Sequence, residues 1–436
     1  MHDFFRRRDG GPFKIPPLMY ALLIEGEDGE FVLFDAVDAQ FFDQTYAPGY
    51  RIAPGNWRSR VNRAPVYAVE VHARGGTPAA IDWLKRHPLG GLPEWSQIEL
   101  DPDPNGAADV YDTIAGPPQR ARISVRPLSR RRVKALERAT DLTPDIRPEA
   151  EIERALPTSA IDQVFVLDVG QGAANALVTS AGEVVAYVDL GAGVLRDVGT
   201  WPNSMGGLCL CHQPKVILTH WHYDHFQAAN IYPAAQKLTW IAPLQRLGPG
   251  PQSLMASSIT RAGGALMIWN GHGILSTSQI ALERCTGPTG NQNRTGISVW
   301  VWGPVGKDPI LLPGDAGYAD VPTLAAGKAI GAFAVAHHGG RAPGVAPARP
   351  GASTPRAALS YGHKNSYGHP LTPSLTGLTA SGWHIGHPAA GKDERRTEDR
   401  PGGAGGSGLG HIRLNWAGGS SSAHSCACGC TLDPTQ

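Results

Sequence analysis

The run Val216-Ile-Leu-Thr-His220-Trp-His222-Tyr-Asp224-His225 places three histidines and one aspartate within six residues, directly after a short apolar stretch. That stretch reads as a buried strand. A strand that ends in ligands delivers them from its tip into a loop at the edge of a sheet. On an extended segment His220 and His222 point the same way, so both imidazoles can meet one cation. Asp224 and His225 lie past the strand end and can face a second cation. Neutral imidazole suits zinc and other first-row metals, and a carboxylate adds a harder oxygen ligand.

The same logic recurs along the chain. Ile310-Leu-Leu-Pro-Gly314-Asp315 is an apolar strand ending in a carboxylate that can bridge two cations, one oxygen to each. Ala332-Phe-Ala-Val-Ala-His337-His338 ends a strand in adjacent histidines. Val184-Val-Ala-Tyr-Val-Asp189 ends in an aspartate before a glycine turn, suited to accept a proton from a ligand imidazole and fix its tautomer, or simply to cap the turn. After Ala357-Ala-Leu-Ser, a polar turn carries Lys364, Asn365, Tyr367 and His369, which can line the mouth of the site.

These strands must be held by a sizeable scaffold, and 436 residues suffice for two domains. The net charge of +1 supplies no global field toward nucleic acid. No apolar run reaches the length of a membrane span, and the N-terminus lacks the apolar stretch of a signal peptide, so a cytoplasmic location is expected. Six cysteines are too few and too clustered for a disulfide scaffold. Cys209 and Cys211 read as buried or incidental thiols.

Residues 1–142 read as an N-terminal α+β domain, with strands at Leu18-Met-Tyr-Ala-Leu-Leu-Ile, Phe31-Val-Leu-Phe and Val66-Tyr-Ala-Val-Glu-Val and a short helix from Ala79 to Arg86. Asp101 to Gly106 reads as a loop. The basic stretch that follows, including Arg120, Arg122, Arg126, Arg130, Arg131 and Arg132, reads either as a solvated helix face or as a phosphate-contacting surface. Residues 143–160 read as a linker and 161–416 as a second domain of short strands. Within it, Thr372 to Ser381 is a helix candidate, His411-Ile-Arg-Leu-Asn-Trp a final strand, and 391–410 a glycine-rich flexible loop. Residues 417–436 form a Cys-rich tail.

Six pieces occur in order: Leu167-Asp-Val-Gly-Gln-Gly172, Val188-Asp-Leu-Gly191, Thr219-His-Trp-His-Tyr-Asp-His225, Leu311-Leu-Pro-Gly-Asp315, His337-His-Gly339 and Asn365-Ser-Tyr-Gly-His-Pro370. In this, residues 160–416 resemble the metallo-β-lactamase-fold hydrolase domain of ComEC-like competence proteins. The resemblance implies an αββα sandwich with a two-metal site at one edge. It implies that His220 and His222 hold the first metal, that Asp224 and His225 hold the second with one of His337 and His338, and that Asp315 bridges. His338 is the expected ligand of that pair, with His337 nearer the substrate. Many family members supply a further histidine to the first metal; here only His272 stands in the corresponding interval. Competence proteins also carry membrane-spanning segments that this chain lacks, so a DNA-uptake role does not follow.

The expected activity is metal-dependent hydrolysis, foremost of a phosphodiester, with single-stranded nucleic acid as the expected substrate. Two divalent ions, zinc first and manganese or magnesium next, would generate a bridging hydroxide. Asp224, His337, His369 and Lys364 are the candidate catalytic residues, and Arg130, Arg131 and Arg132 the candidate nucleic-acid contacts. Two alternatives stand beside this: hydrolysis of a small ester, lactone or phosphoester, and a non-catalytic metal-bound subunit that meets a protein partner through the N-terminal domain.

Overall fold

The computed structural model describes residues 2–5, 13–46, 52–202, 205, 207–351, 356–385, 393–399 and 410–416. The expected tail, 417–436, lies outside them. The fold is α+β, in two compact units. No helix among the described residues is long and apolar enough to cross a membrane.

The first unit takes Met1–Asp145 together with Leu244–Ala262 and Gly290–Gln292. Six strands close a barrel in the order β1-β2-β3-β5-β6-β4: β1 Leu18–Glu27, β2 Phe31–Asp38, β3 Val66–His72, β4 Trp95–Pro102, β5 Ala108–Tyr111 and β6 Gln119–Pro127. Its interior is filled by alternating apolar side chains such as Met19, Phe34, Val69, Ile98 and Val110. Helices α1 Ala39–Thr45, α2 Pro78–Arg86 and α3 Arg130–Thr140 complete it, with Pro251–Arg261. Asp35, fully buried on β2, accepts from the backbone amides of Gly250 and Gln252 (2.5 and 2.8 Å), which anchors the start of that last helix.

Two sequence expectations change here. Asp101 and Pro102 belong to β4 and are not loop. The basic stretch is not one helix face: Arg120, Arg122 and Arg126 lie on β6, and only Arg130 onward is helical. In strand register Arg120 faces Asp109 and Arg122 faces Asp101, with ion-pair distances of 3.3 and 2.6 Å. Arg126 reaches Glu99 at 3.6 Å, and Arg132 pairs with Asp43 at 2.8 Å while lying over the Tyr20 ring.

The second unit takes Ile146–Pro243, Gly263–Thr289 and Asn293–Gln436. The stretch expected as a linker is structured: α4 Glu149–Ala155 lies in it, and Ile152 and Leu156 are core residues. Its amphipathic Ile-x-x-x-Leu spacing buries one face. One sheet takes β7 Gln163–Val166, β8 Ala174–Val178, β9 Val184–Leu190, β10 Lys215–Ile217, β11 Thr239–Pro243 and β12 Ala265–Trp269 in sequential order. The other takes β13 Ile274–Ser276, β14 Ile280–Arg284, β15 Ile297–Val301, β16 Ile310–Leu312, β17 Ala332–Ala334, β18 Arg356–Leu359 and β19 Glu394–Arg396. β20 Ile412–Asn415 returns to the first sheet and pairs antiparallel with β7. β19 lies within the stretch expected as a flexible loop, so part of that stretch is strand. A helix spans Thr372–Ala380.

Both sheets feed one core. Val164, Leu177, Val188 and Ile217 of the first pack with Leu282, Val299, Ile310 and Ala358 of the second. Parallel pairing decides where the polar strand ends emerge. β9 runs parallel to β10 with Val188 opposite Ile217, so Asp189 and Thr219 leave at the same end. β16, β17 and β18 are parallel too, so Asp315, His337 and Ser360 share an end. The amide of Ile297 donates to Thr219 O at 2.8 Å and ties the tips of the two sheets together.

Candidate metal centre

Asp189 begins the construction. It ends β9 in a left-handed backbone conformation (φ 62°), which aspartate tolerates better than most side chains. Its buried carboxylate accepts from Thr219 N (2.7 Å), Thr219 Oγ1 (2.9 Å) and His225 Nδ1 (2.9 Å). Among the described residues, three donors face it. Burial pushes its pKa up, and His225 and Thr219 offset part of that rise.

Gly191, two residues on, admits the returning chain: a Cβ there would lie 1.7 Å from Asp224 O. The turn Tyr223–His225 then presents Asp224 and His225 toward the second sheet. From that sheet, Asp315 offers both oxygens. Its Oδ1 lies 3.2 Å from His225 Nε2 and 3.7 Å from His338 Nε2; its Oδ2 lies 3.7 Å from both His220 Nε2 and His337 Nε2. His338 Nε2 is also 3.2 Å from Asp224 Oδ2. Two groups result whose ligand atoms all lie within 4.8 Å of one another: His220, His225 and Asp315, and Asp224, His225 and His338.

The adjacent histidines do not diverge, as an extended strand would require. β17 stops at Ala334, and His337 and His338 both take left-handed backbone angles (φ 52° and 53°). That turn brings both rings to Asp315. His222 is buried with its ring centroid 4.5 Å from that of His220, but it belongs to neither three-ligand group. His369 stands beside the site, 5.5 Å from His337 and 6.4 Å from His338 between ring centroids. Lys364 is exposed. His272 is exposed in the β12–β13 connection and belongs to neither group. Arg130, Arg131 and Arg132 lie on α3 of the other unit.

The outer nitrogens fix which ring atom faces inward. His338 Nδ1–H donates to Ser360 O (2.8 Å), His337 Nδ1–H to Arg341 O (3.1 Å), and His225 Nδ1–H to Asp189. In each neutral ring this leaves Nε2 with a lone pair directed at the carboxylates. The Nε2 atoms of His220, His225 and His338 are buried with no hydrogen-bond partner among the described residues. A buried polar atom left unpaired costs about 1–3 kcal/mol. Three at one point, beside acidic oxygens, are what imidazole and carboxylate ligands to a divalent cation present. The donor set therefore fits the implied metals.

The electrostatics agree. Burial lowers His220 well below the ordinary imidazole value, and His225 and His222 push it further. Burial would lower His225 too, but the Asp315, Asp189 and Asp224 carboxylates more than offset it and hold the ring well above that value. Against its own burial, Asp315 is held well below the carboxylate range by His225, His337 and His338. Without metal, a proton on His225 partly neutralises the three carboxylates.

Sequence reasoning misses Gln171, Ser360 and Thr219, because each acts through a hydrogen bond to a residue distant in the chain: His369, His338 and Asp189 respectively. The expectation of two thiols at Cys209 and Cys211 fails at Cys211, which is disulfide-bonded; Cys209 is buried. No family model matches the chain, and no curated protein matches it.

Proposed function

We propose that this chain is a metal-dependent hydrolase whose second unit adopts the metallo-β-lactamase fold and whose foremost substrate class is a phosphodiester. The observation that carries the reading is the convergence of pinned, inward-facing imidazole nitrogens on the two oxygens of Asp315. His220, Asp315 Oδ2 and the neighbouring His222 would hold one divalent ion; Asp224, His225, His338 and Asp315 Oδ1 the other. When bound, such a pair supplies Lewis acidity, an activated water near neutral pH and neutralisation of charge developing on substrate oxygens. The chain's own residues do the rest. Asp189 orients His225, Ser360 orients His338, and the shared end of the parallel strands keeps both ligand groups in register. His369 flanks the centre beside His337, where it can meet the substrate's non-bridging oxygens.

A second reading, hydrolysis of a small phosphoester or ester, is favoured by one observation. Arg120, Arg122, Arg126 and Arg132 already face carboxylates, which weakens the case for a polyanion-binding surface there. Turnover of labelled single-stranded DNA and of bis(p-nitrophenyl) phosphate by the zinc- or manganese-loaded chain separates the two. Cleavage of DNA with salt-sensitive affinity supports the first, and turnover of the small diester alone supports the second. Stoichiometric metal with no turnover of either would replace both with a non-catalytic metal-bound subunit.

A further inference from the structure

His369 differs from the other histidines at the centre in what its Nδ1 touches. His225, His337 and His338 each turn Nδ1 to an oxygen acceptor. His369 turns Nδ1 to the side-chain nitrogen of Gln171, 3.3 Å away. That amide cannot rotate freely, because its Oε1 accepts the backbone N–H of Gly362 at 3.3 Å, and a backbone amide is only ever a donor. The Gln171 NH2 must therefore donate to His369, so Nδ1 accepts and the ring proton sits on Nε2.

The surroundings hold both partners still. Gln171 is buried, and its backbone N–H donates to Thr200 Oγ1 at 2.8 Å. The loop carrying His369 is cross-braced by Asn365, whose Nδ2 donates to Gly362 O and His369 O and whose Oδ1 accepts His369 N. Asp197 clamps it from outside by accepting Ser366 N and Oγ, both at 2.7 Å. A Cβ on Gly340 would lie 2.7 Å from His369 Nε2, so the glycine after the His-His-Gly turn makes room for that atom. His369 belongs to neither of the tight ligand groups.

We infer that Gln171 is a positioning residue that locks His369 in its Nε2–H form, so that His369 donates a hydrogen bond to a substrate oxygen and is not a metal ligand. A nitrogen that carries a proton has no lone pair for a cation, whereas a fixed donor beside the centre suits an oxygen that gains charge during hydrolysis. The tautomer stands on geometry alone; the donor role rests on the hydrolase reading above.

The test is long-range proton–nitrogen NMR on the full zinc-loaded chain labelled at histidine, with His369→Gln used to assign the signal. The expected result is a protonated Nε2 and an unprotonated Nδ1 in the wild-type protein. In Gln171→Glu the carboxylate accepts where the amide donated, so Nδ1 becomes protonated. With bis(p-nitrophenyl) phosphate, kcat falls about 10²-fold in that variant, the scale of losing one positioned donor, while KM and zinc content change little. His369→Gln, which keeps an N–H donor, retains more activity than His369→Ala. An unprotonated Nε2 in the wild-type protein overturns the inference, and a zinc-bound Nε2 does so outright. If Gln171→Glu does not fold, the wild-type spectrum alone decides the tautomer. The expected tautomer without turnover of the diester would sink the donor role and the hydrolase reading but leave the tautomer standing.

Discussion

Replacing Asp189 by asparagine isolates what a residue outside the ligand groups does for the centre. The carboxylate accepts three hydrogen bonds, from Thr219 N, Thr219 Oγ1 and His225 Nδ1. Asparagine preserves volume but keeps only one acceptor atom. With its oxygen on the Thr219 amide, its NH2 faces His225 Nδ1–H, donor against donor. The Thr219 hydroxyl can rotate to relieve its own contact. The imidazole relieves its contact only by moving the proton to Nε2, the atom facing Asp315 at 3.2 Å, and that atom then cannot bind a cation. One charge-assisted hydrogen bond amounts to about 1.5–3 kcal/mol. At about 1.4 kcal/mol per factor of ten this is roughly 10–100-fold in affinity, the range found for partners that orient metal ligands. An opposing effect is smaller. Asp189 is one of three carboxylates that hold His225 protonated, so its removal eases proton displacement, but the ring it frees carries its proton on the wrong nitrogen. The assay is competition for zinc against a chromophoric chelator at neutral pH, with thermal melting of the chelated protein as the control for folding. A folded variant with affinity within about twofold of wild type would refute the reasoning.

Four further outcomes follow from the same geometry. Because Asp315, Asp189 and Asp224 raise His225 well above its ordinary value, metal binding at neutral pH expels a proton, so calorimetric enthalpies should vary with buffer ionisation and affinity should fall as pH is lowered. In the chelated protein the raised His225 contributes stability that is present below about pH 6.5 and lost as pH rises through its raised folded value; the lowered Asp315 contributes stability present above about pH 3.9 and lost as pH falls through its own, so melting should peak between these limits. Gly191→Ala drives a Cβ to 1.7 Å from Asp224 O, so the backbone at the ligand turn must shift; the variant should melt lower and bind less zinc. Gly340→Ala meets His369 Nε2 at 2.7 Å and should lower kcat while zinc content holds, read by diester turnover beside metal analysis.

The ligand-bearing strand ends were legible because apolar runs stop abruptly at chemistry-bearing residues, as at Ile217 before His220 and Leu312 before Asp315. The direction of the adjacent histidines was not. Alternation along a strand forbids what a left-handed turn at His337 and His338 allows, and nothing in that short apolar run marks the strand as ending at Ala334. The barrel was only partly legible. β6 hides its strand character under charge, although Arg120, Arg122 and Arg126 keep the even spacing of one face and meet acids across the strand. The stretch around α4 reads as linker in sequence because prolines and charges outnumber the buried Ile152 and Leu156. Gln171 stood inside a recognised motif, yet its role depends on Gly362 and His369, nearly two hundred positions away, which no local pattern encodes.

In the proposed centre two cations sit on the oxygens of Asp315. Metal analysis by mass spectrometry on the full chain purified without chelator, beside Asp315→Ala, tests it most directly. About two divalent ions are expected per wild-type chain, with loss of one or both in the variant. A wild-type chain that carries no metal, and takes up none on reconstitution, would contradict it.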